Sequence, residues 1–132
     1  MSFFILRVML ATVIFAATLG GQARGARDAG APQASATRLE ILVFEANGCV
    51  YCRIFRRDVL PKYERSLRAK KAPIRFINVS QTDVTPLKLS APLTMAPTVV
   101  VMQDGQERGR ITGYMGPEPF FHMVSQIMRG ID

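Results

Sequence analysis

Cys49 and Cys52 are the only cysteines among the 132 residues, and two residues separate them. A dithiol at this spacing can close a short disulfide where the intervening residues form a turn or the first turn of a helix. The attacking species in thiol chemistry is the thiolate. Unpaired N–H groups and the macrodipole at a helix N-terminus favour it, lowering a thiol pKa from ~8.5 toward neutrality. Arg53 adds positive charge beside the pair. On this reading Cys49 attacks a substrate disulfide to form a mixed disulfide, and Cys52, one turn deeper, resolves it.

The same pair allows other readings. An exported protein can carry a permanent disulfide, although a bridge across so short a loop restricts the unfolded chain little. Structural zinc takes about four ligands, and the single histidine, His122, lies far along the chain with no further cysteine near it. No metal site and no cofactor are therefore expected, and His122 reads as a helix-surface residue. Covalent haem attachment needs a histidine directly after the second cysteine, where this chain has Arg53.

The elements around the pair follow from periodicity. Residues 39–44, Leu-Glu-Ile-Leu-Val-Phe, are rich in large and β-branched apolar side chains and predict a strand buried on both faces. Asn47-Gly48 breaks the strand, with Asn47 as the expected N-cap. Cys52, Phe55, Val59 and Tyr63 then recur at helical spacing. Pro61 either kinks this helix or marks the first turn of a second one. Residues 73–79 predict a second strand, and Asp83 or Thr85 can cap a short helix over residues 86–89. Residues 98–103 and 107–114 predict two strands joined through Asp104-Gly105, a hairpin dipeptide. Phe120, Phe121, Val124, Ile127 and Met128 mark a C-terminal helix with an apolar stripe. Met95, Met102, Met115, Met123 and Met128 are expected to fill the core. The resulting order, β-α-β-α-β-β-α, implies a parallel crossover followed by a hairpin in one sheet, an α/β architecture.

The N-terminus is different in kind. Arg7 precedes an apolar run over residues 8–19, and Gly21-Gln22-Ala23 offers small residues for cleavage, so residues 1–23 read as a secretory signal peptide. The run is shorter than the ~20 apolar residues of a bilayer span; with residues 3–6 added, an N-terminal anchor is the alternative. Residues 24–37 carry Gly, Ala, Arg, Gln, Ser and Pro without apolar periodicity, the composition of a flexible linker. The folded domain is expected over residues 38–132.

Without residues 1–23 the chain keeps 16 basic and 10 acidic side chains, a net charge of +6. The bases concentrate in Arg53, Arg56, Arg57, Lys62, Arg65, Arg68, Lys70 and Lys71, along what the sequence predicts as one helix. Such a run is a solvated helix face or a docking surface. Nucleic acid is not expected as a partner, because no nucleic-acid motif accompanies the charge.

Taken together, Cys49-Val50-Tyr51-Cys52 at a strand-to-helix junction, Ala96-Pro97-Thr98 opening a later strand and the Asp104-Gly105 hairpin resemble the thioredoxin-like superfamily over residues 38–132. The resemblance implies a central mixed four-stranded sheet flanked by helices. It also implies a cis proline at Pro97, facing the dithiol, with Tyr51, Ala96 and Pro97 receiving an extended substrate segment. Within the superfamily the chain is similar to small exported bacterial thioredoxins. Its Cys-Val-Tyr-Cys followed by Arg-x-Phe-x-Arg-Asp-Val-Leu-Pro also resembles the periplasmic thioredoxins associated with thiosulfate oxidation. This implies a monomeric periplasmic thiol–disulfide oxidoreductase acting on a protein disulfide or thiol, for instance on a sulfur-oxidation carrier protein, and re-reduced by a membrane electron donor. An isomerase or oxidant, or a client-binding module without turnover, is the alternative. The family's usual tryptophan, buried aspartate and motif proline are replaced by Gly48, Val43 and Tyr51. Glu45, four residues before Cys49, is then the carboxylate nearest in sequence for proton transfer.

Overall fold

The computed structural model describes residues 37–131. Residues 1–23, and all but the last residue of the 24–37 segment, lie outside the described residues. Strand β1, Leu39–Glu45, is the inner axis of a four-stranded sheet of order β2-β1-β3-β4. It pairs in parallel with β2, Ile74–Asn78, and antiparallel with β3, Thr98–Gln103; β3 pairs antiparallel with β4, Gln106–Thr112. The sheet is thus mixed, as its connections require.

β1 is buried on both faces because its apolar run leaves neither side for water. Ile41 and Val43 join Val99, Val101, Phe55, Val59, Tyr63, Phe120 and Val124 on one side, and Leu42 and Phe44 join Ile77, Val100 and Met102 on the other. The first side is covered by α1, Val50–Asp58, α2, Leu60–Glu64, and α4, Pro117–Arg129. Helix α4 packs tightly on β4 at Gly109, where a Cβ would stand 2.9 Å from Ile127 Cγ1. The second side is covered by Val79, Val84, Leu87, Leu89 and Leu93 from the long connection between β2 and β3.

Three expectations change. The basic run occupies three short helices, α1, α2 and α3, Leu67–Lys71, where the sequence predicts one kinked helix or two with a restart at Pro61; the restart is found and a third helix is added. Pro61 falls in the first turn of α2, where a missing N–H costs little. Ser66 then caps α3, accepting from the Ala69 N–H at 3.4 Å. The buried Tyr63 hydroxyl donates to the Ala72 carbonyl at 2.6 Å, and burial pushes its pKa up to about 12. The short helix after β2 is a single 3-10 turn, Thr85–Leu87, with Asp83 accepting from the Thr85 N–H. Finally, Met102 is buried and Met123 and Met128 pack against the core, but Met95 and Met115 are exposed, at 57% and 73%. Met95 lies in the loop that leads into β3 and Met115 in the loop between β4 and α4, each at the rim of a surface depression.

In the hairpin between β3 and β4, Asp104 and Gly105 both have positive φ, 52° and 77°, which matches the twist of the strands. Farther along β4, Arg110 forms a fork with Glu107 (2.6 and 2.7 Å) and donates to the Ala91 and Pro92 carbonyls. Glu107 in turn accepts from the Ser90 N–H at 2.8 Å. This cluster seats the connection that leads into β3. Its pH signature follows from the carboxyl, which Arg110 holds at about 2, well below its ordinary 4.5. A group with a depressed folded pKa stabilises the fold fully above its unfolded value and loses that contribution as pH falls through the folded one. Arg110→Met, which strands the nearly buried carboxylate, is expected to cost about 2–4 kcal/mol at pH 7. Urea titrations of both proteins should show that difference shrinking as pH falls from 5 toward 2.

Candidate active site

The site forms where β1 runs out into α1. Gly48 has φ +72°, a conformation that L side chains rarely adopt, and this turn delivers Cys49 in extended geometry at the start of α1. Cys49 is itself the N-cap: its Sγ accepts from the Cys52 N–H at 3.1 Å. Asn47, expected in that role, serves elsewhere. Its N–H donates to Ser80 Oγ and its Oδ1 accepts from Asn78 Nδ2 at 2.8 Å, tying the loop after β1 to the loop after β2. The cap moves to Cys49 because the positive-φ glycine lies between Asn47 and the first helical residue.

Cys49 and Cys52 are joined in a disulfide, with Cα atoms 5.3 Å apart. Their accessibility differs. Cys49 is partly exposed, whereas Cys52 is 4% exposed and shares the buried face of α1 with Phe55. Val50 and Tyr51, at 53% and 60% exposure, stand outward on the first turn between them. An attacking thiol must be reachable by a protein substrate, and a resolving thiol need only reach its neighbour. The geometry suits the first role to Cys49 and the second to Cys52.

A depression of about 270 Å³ beside the disulfide is lined by Glu45, Asn47, Cys49, Cys52, Arg53, Arg56 and others. Glu45 therefore shares a surface with both cysteines. Its two carboxylate oxygens accept from Arg56 Nε at 2.8 Å and from an Arg56 terminal nitrogen at 2.6 Å. The Arg56 guanidinium lies over Phe76, 3.5 Å from the ring centroid, and the carboxylate raises its pKa further. Sequence reading missed Arg56 as a partner of Glu45. The signal available was slight: Arg56 follows Cys52 by one helical turn and Glu45 ends the adjoining strand.

The Ala96–Pro97 peptide bond is cis. Thr98 pairs with Phe44, so Ala96 and Pro97 run past the end of β1 next to the cysteine loop. The Pro97 carbonyl accepts from the Gly113 N–H at 2.8 Å, while among the described residues Ala96 has no backbone hydrogen-bond partner. Ala96 lines a groove of about 230 Å³ with Phe44, Ala46, Val79, Leu93, Thr94 and Met95. Ala46 borders both this groove and the cysteine depression, so the two are adjacent. Tyr51 stands exposed between the two cysteines, Ala96 lines the adjoining groove, and Pro97 is buried. Among the described residues no group of three or more His, Cys, Asp or Glu side chains is arranged to hold a metal ion.

A family model described as a thioredoxin-like domain matches residues 31–127. The chain belongs to the thioredoxin-like family. Its fold and its Cys-x-x-Cys pair are those of a thiol–disulfide oxidoreductase. Among solved structures, it is similar to the periplasmic thioredoxin SoxS from Paracoccus pantotrophus in its reduced form, at 29% identity and a TM-score of 0.65. That match covers 71% of this chain and 99% of SoxS. Fasciola hepatica thioredoxin matches at 26% identity and a TM-score of 0.52, over 67% of this chain and 80% of that one. Malassezia sympodialis thioredoxin, at 18% identity and a TM-score of 0.57, shares the fold over 67% of this chain and 74% of its own. No curated protein sequence matches the chain.

Proposed function

We propose that this protein is an exported, periplasmic thiol–disulfide oxidoreductase that reduces a disulfide or modified cysteine on a specific protein partner. The observation that carries this reading is the asymmetric pair: a reachable Cys49 at the N-cap of α1 and a buried Cys52 one turn inside. Likeness to a periplasmic thioredoxin supports the compartment, as does the reading of residues 1–23 as a signal peptide. Among the described residues no helix is long and apolar enough to cross a membrane. A sulfur-oxidation carrier protein is the partner class to which the sequence resemblance points.

The Cys49 thiolate attacks one sulfur of the substrate disulfide, that S–S bond breaks, and the departing substrate thiolate takes a proton. The Cys52 thiolate then attacks Cys49 Sγ, releasing the second substrate sulfur as a thiol. Two electrons pass from the dithiol to the substrate, leaving the Cys49–Cys52 disulfide for re-reduction by a membrane electron donor. Glu45, held by Arg56 and lining the same depression as both cysteines, is the group we assign to receive the Cys52 proton. The backbone of Ala96 is open to pair with an extended substrate segment, and Tyr51 borders the approach.

Removing the resolving thiol tests the assignment. Cys52→Ser is expected to accumulate a covalent mixed disulfide through Cys49 when exposed to a periplasmic extract, resolvable by dithiothreitol and identifiable by mass spectrometry. Capture by a Cys49→Ser protein instead, or no capture at all, would contradict these roles.

A further inference from the structure

We infer that the partner presents an acidic surface around its reactive sulfur, because Arg53, with no ion-pair partner among the described residues, stands beside the cysteine pair and the helices α1 to α3 carry a large excess of cations. This rests on the oxidoreductase reading above and names the chemistry of its substrate. Arg53 follows Cys52 directly and lines the same depression as both cysteines. Residues four apart share a helix face, and the α-helical hydrogen bonds persist across the α1–α2 junction. The Val59 N–H donates to Phe55 and the Tyr63 N–H to Val59, both at 2.9 Å. The cations of α2 therefore continue along the helical path that begins beside the cysteines, Arg65 lying roughly 18 Å along the axis from Arg53 at 1.5 Å per residue.

Counting charges decides the sign of this surface. Arg56 is paired with Glu45 and Arg57 with Asp58. Arg53, Lys62, Arg65, Arg68, Lys70 and Lys71 form no ion pair with a described residue, and the only unpaired carboxylate on these three helices is Glu64. A partner whose sulfur reaches Cys49 stands beside Arg53, which lines the same depression, and lies within the field of this excess at low salt. Opposite charge speeds such encounters and like charge suppresses them. An anionic membrane could also meet the distal cations around the exposed Leu67, but that occupant leaves Arg53, beside the dithiol, without a role.

The test uses two disulfide-bonded peptides, identical except that one is flanked by Asp and Glu and the other by Lys and Arg, with neutral hydroxyethyl disulfide as the reference substrate. At low salt, kcat/KM for the acidic peptide is expected to exceed that for the basic one by about tenfold or more. The advantage should fall away by about 0.5 M salt, where screening is strong. The variant Lys62→Glu/Arg65→Glu/Lys70→Glu should remove about tenfold from the acidic peptide and leave hydroxyethyl disulfide unchanged. If the variant misfolds, its reference rate falls too, and the salt dependence of the native protein still decides. Equal, salt-independent rates for the two peptides would overturn the inference, as would such rates together with variant-sensitive binding to phosphatidylglycerol vesicles. Failure to reduce even hydroxyethyl disulfide would instead overturn the oxidoreductase reading itself.

Discussion

Cys49→Ser is expected to reduce disulfide-reducing activity to the uncatalysed background, a loss of at least about a thousandfold. The size of the effect follows from the site's construction. Cys52 is 4% exposed, on the inner face of α1, so a protein disulfide cannot reach it in place of Cys49. The serine hydroxyl ionises far less readily than a thiol, and the N-cap hydrogen bond from the Cys52 N–H survives in the variant because an oxygen accepts as well as sulfur. The fold should therefore be retained while the chemistry is lost. The check is a turbidity or thiol-release assay with insulin, run beside a thermal melt. Retained activity with an unchanged melt would remove Cys49 from the mechanism.

Phe55→Ala carries the largest expected effect on stability. Phe55 is 1% exposed and meets three rings edge-on: Phe120 at 5.1 Å, Tyr114 at 5.6 Å and Phe76 at 6.3 Å between centroids. Truncation removes the ring's burial and leaves a cavity that these three neighbours cannot close, costing about 3–5 kcal/mol. For a domain of this size the melting temperature should fall by roughly 15–30 °C. Activity depends on the same residue indirectly. Phe55 anchors the helix whose first turn holds the cysteines, and Phe76 beside it carries the Arg56 guanidinium that fixes Glu45. Urea denaturation followed by circular dichroism measures the loss; a change below about 1 kcal/mol would mean the aromatic cluster does not hold α1 in place.

The parts of this architecture that were legible in the sequence are those encoded locally. The run Leu39 to Phe44 has no polar face to offer water except Glu40, so burial on both sides of the sheet follows from composition. Asp104-Gly105 fits a turn needing two positive φ angles, and the spacing of Phe120, Val124 and Ile127 writes the inner face of α4. The cysteine pair announced its own chemistry by spacing. What the sequence hid depends on residues that meet only after folding. Asn47 looked like a cap because its type favours one, but Asn78 and Ser80 arrive from the end of β2 to engage it. Met95 and Met115 have core-like side chains, yet they sit exposed on loops that join the elements. Arg56 reads as one more surface base until the end of β1 brings Glu45 to it, and Arg110 as another until the 90–92 segment folds onto β4.

In the proposed mechanism Cys49 and Cys52 act in succession as a two-electron donor to another protein's disulfide. A single-turnover experiment addresses this most directly: fully reduced protein mixed with one equivalent of a disulfide substrate, quenched in acid at successive times and mapped by mass spectrometry. The expected course is a transient adduct on Cys49, followed by the Cys49–Cys52 disulfide with two substrate thiols released for each one formed. An adduct on Cys52, or a substrate left oxidised while both cysteines remain thiols, would contradict the mechanism.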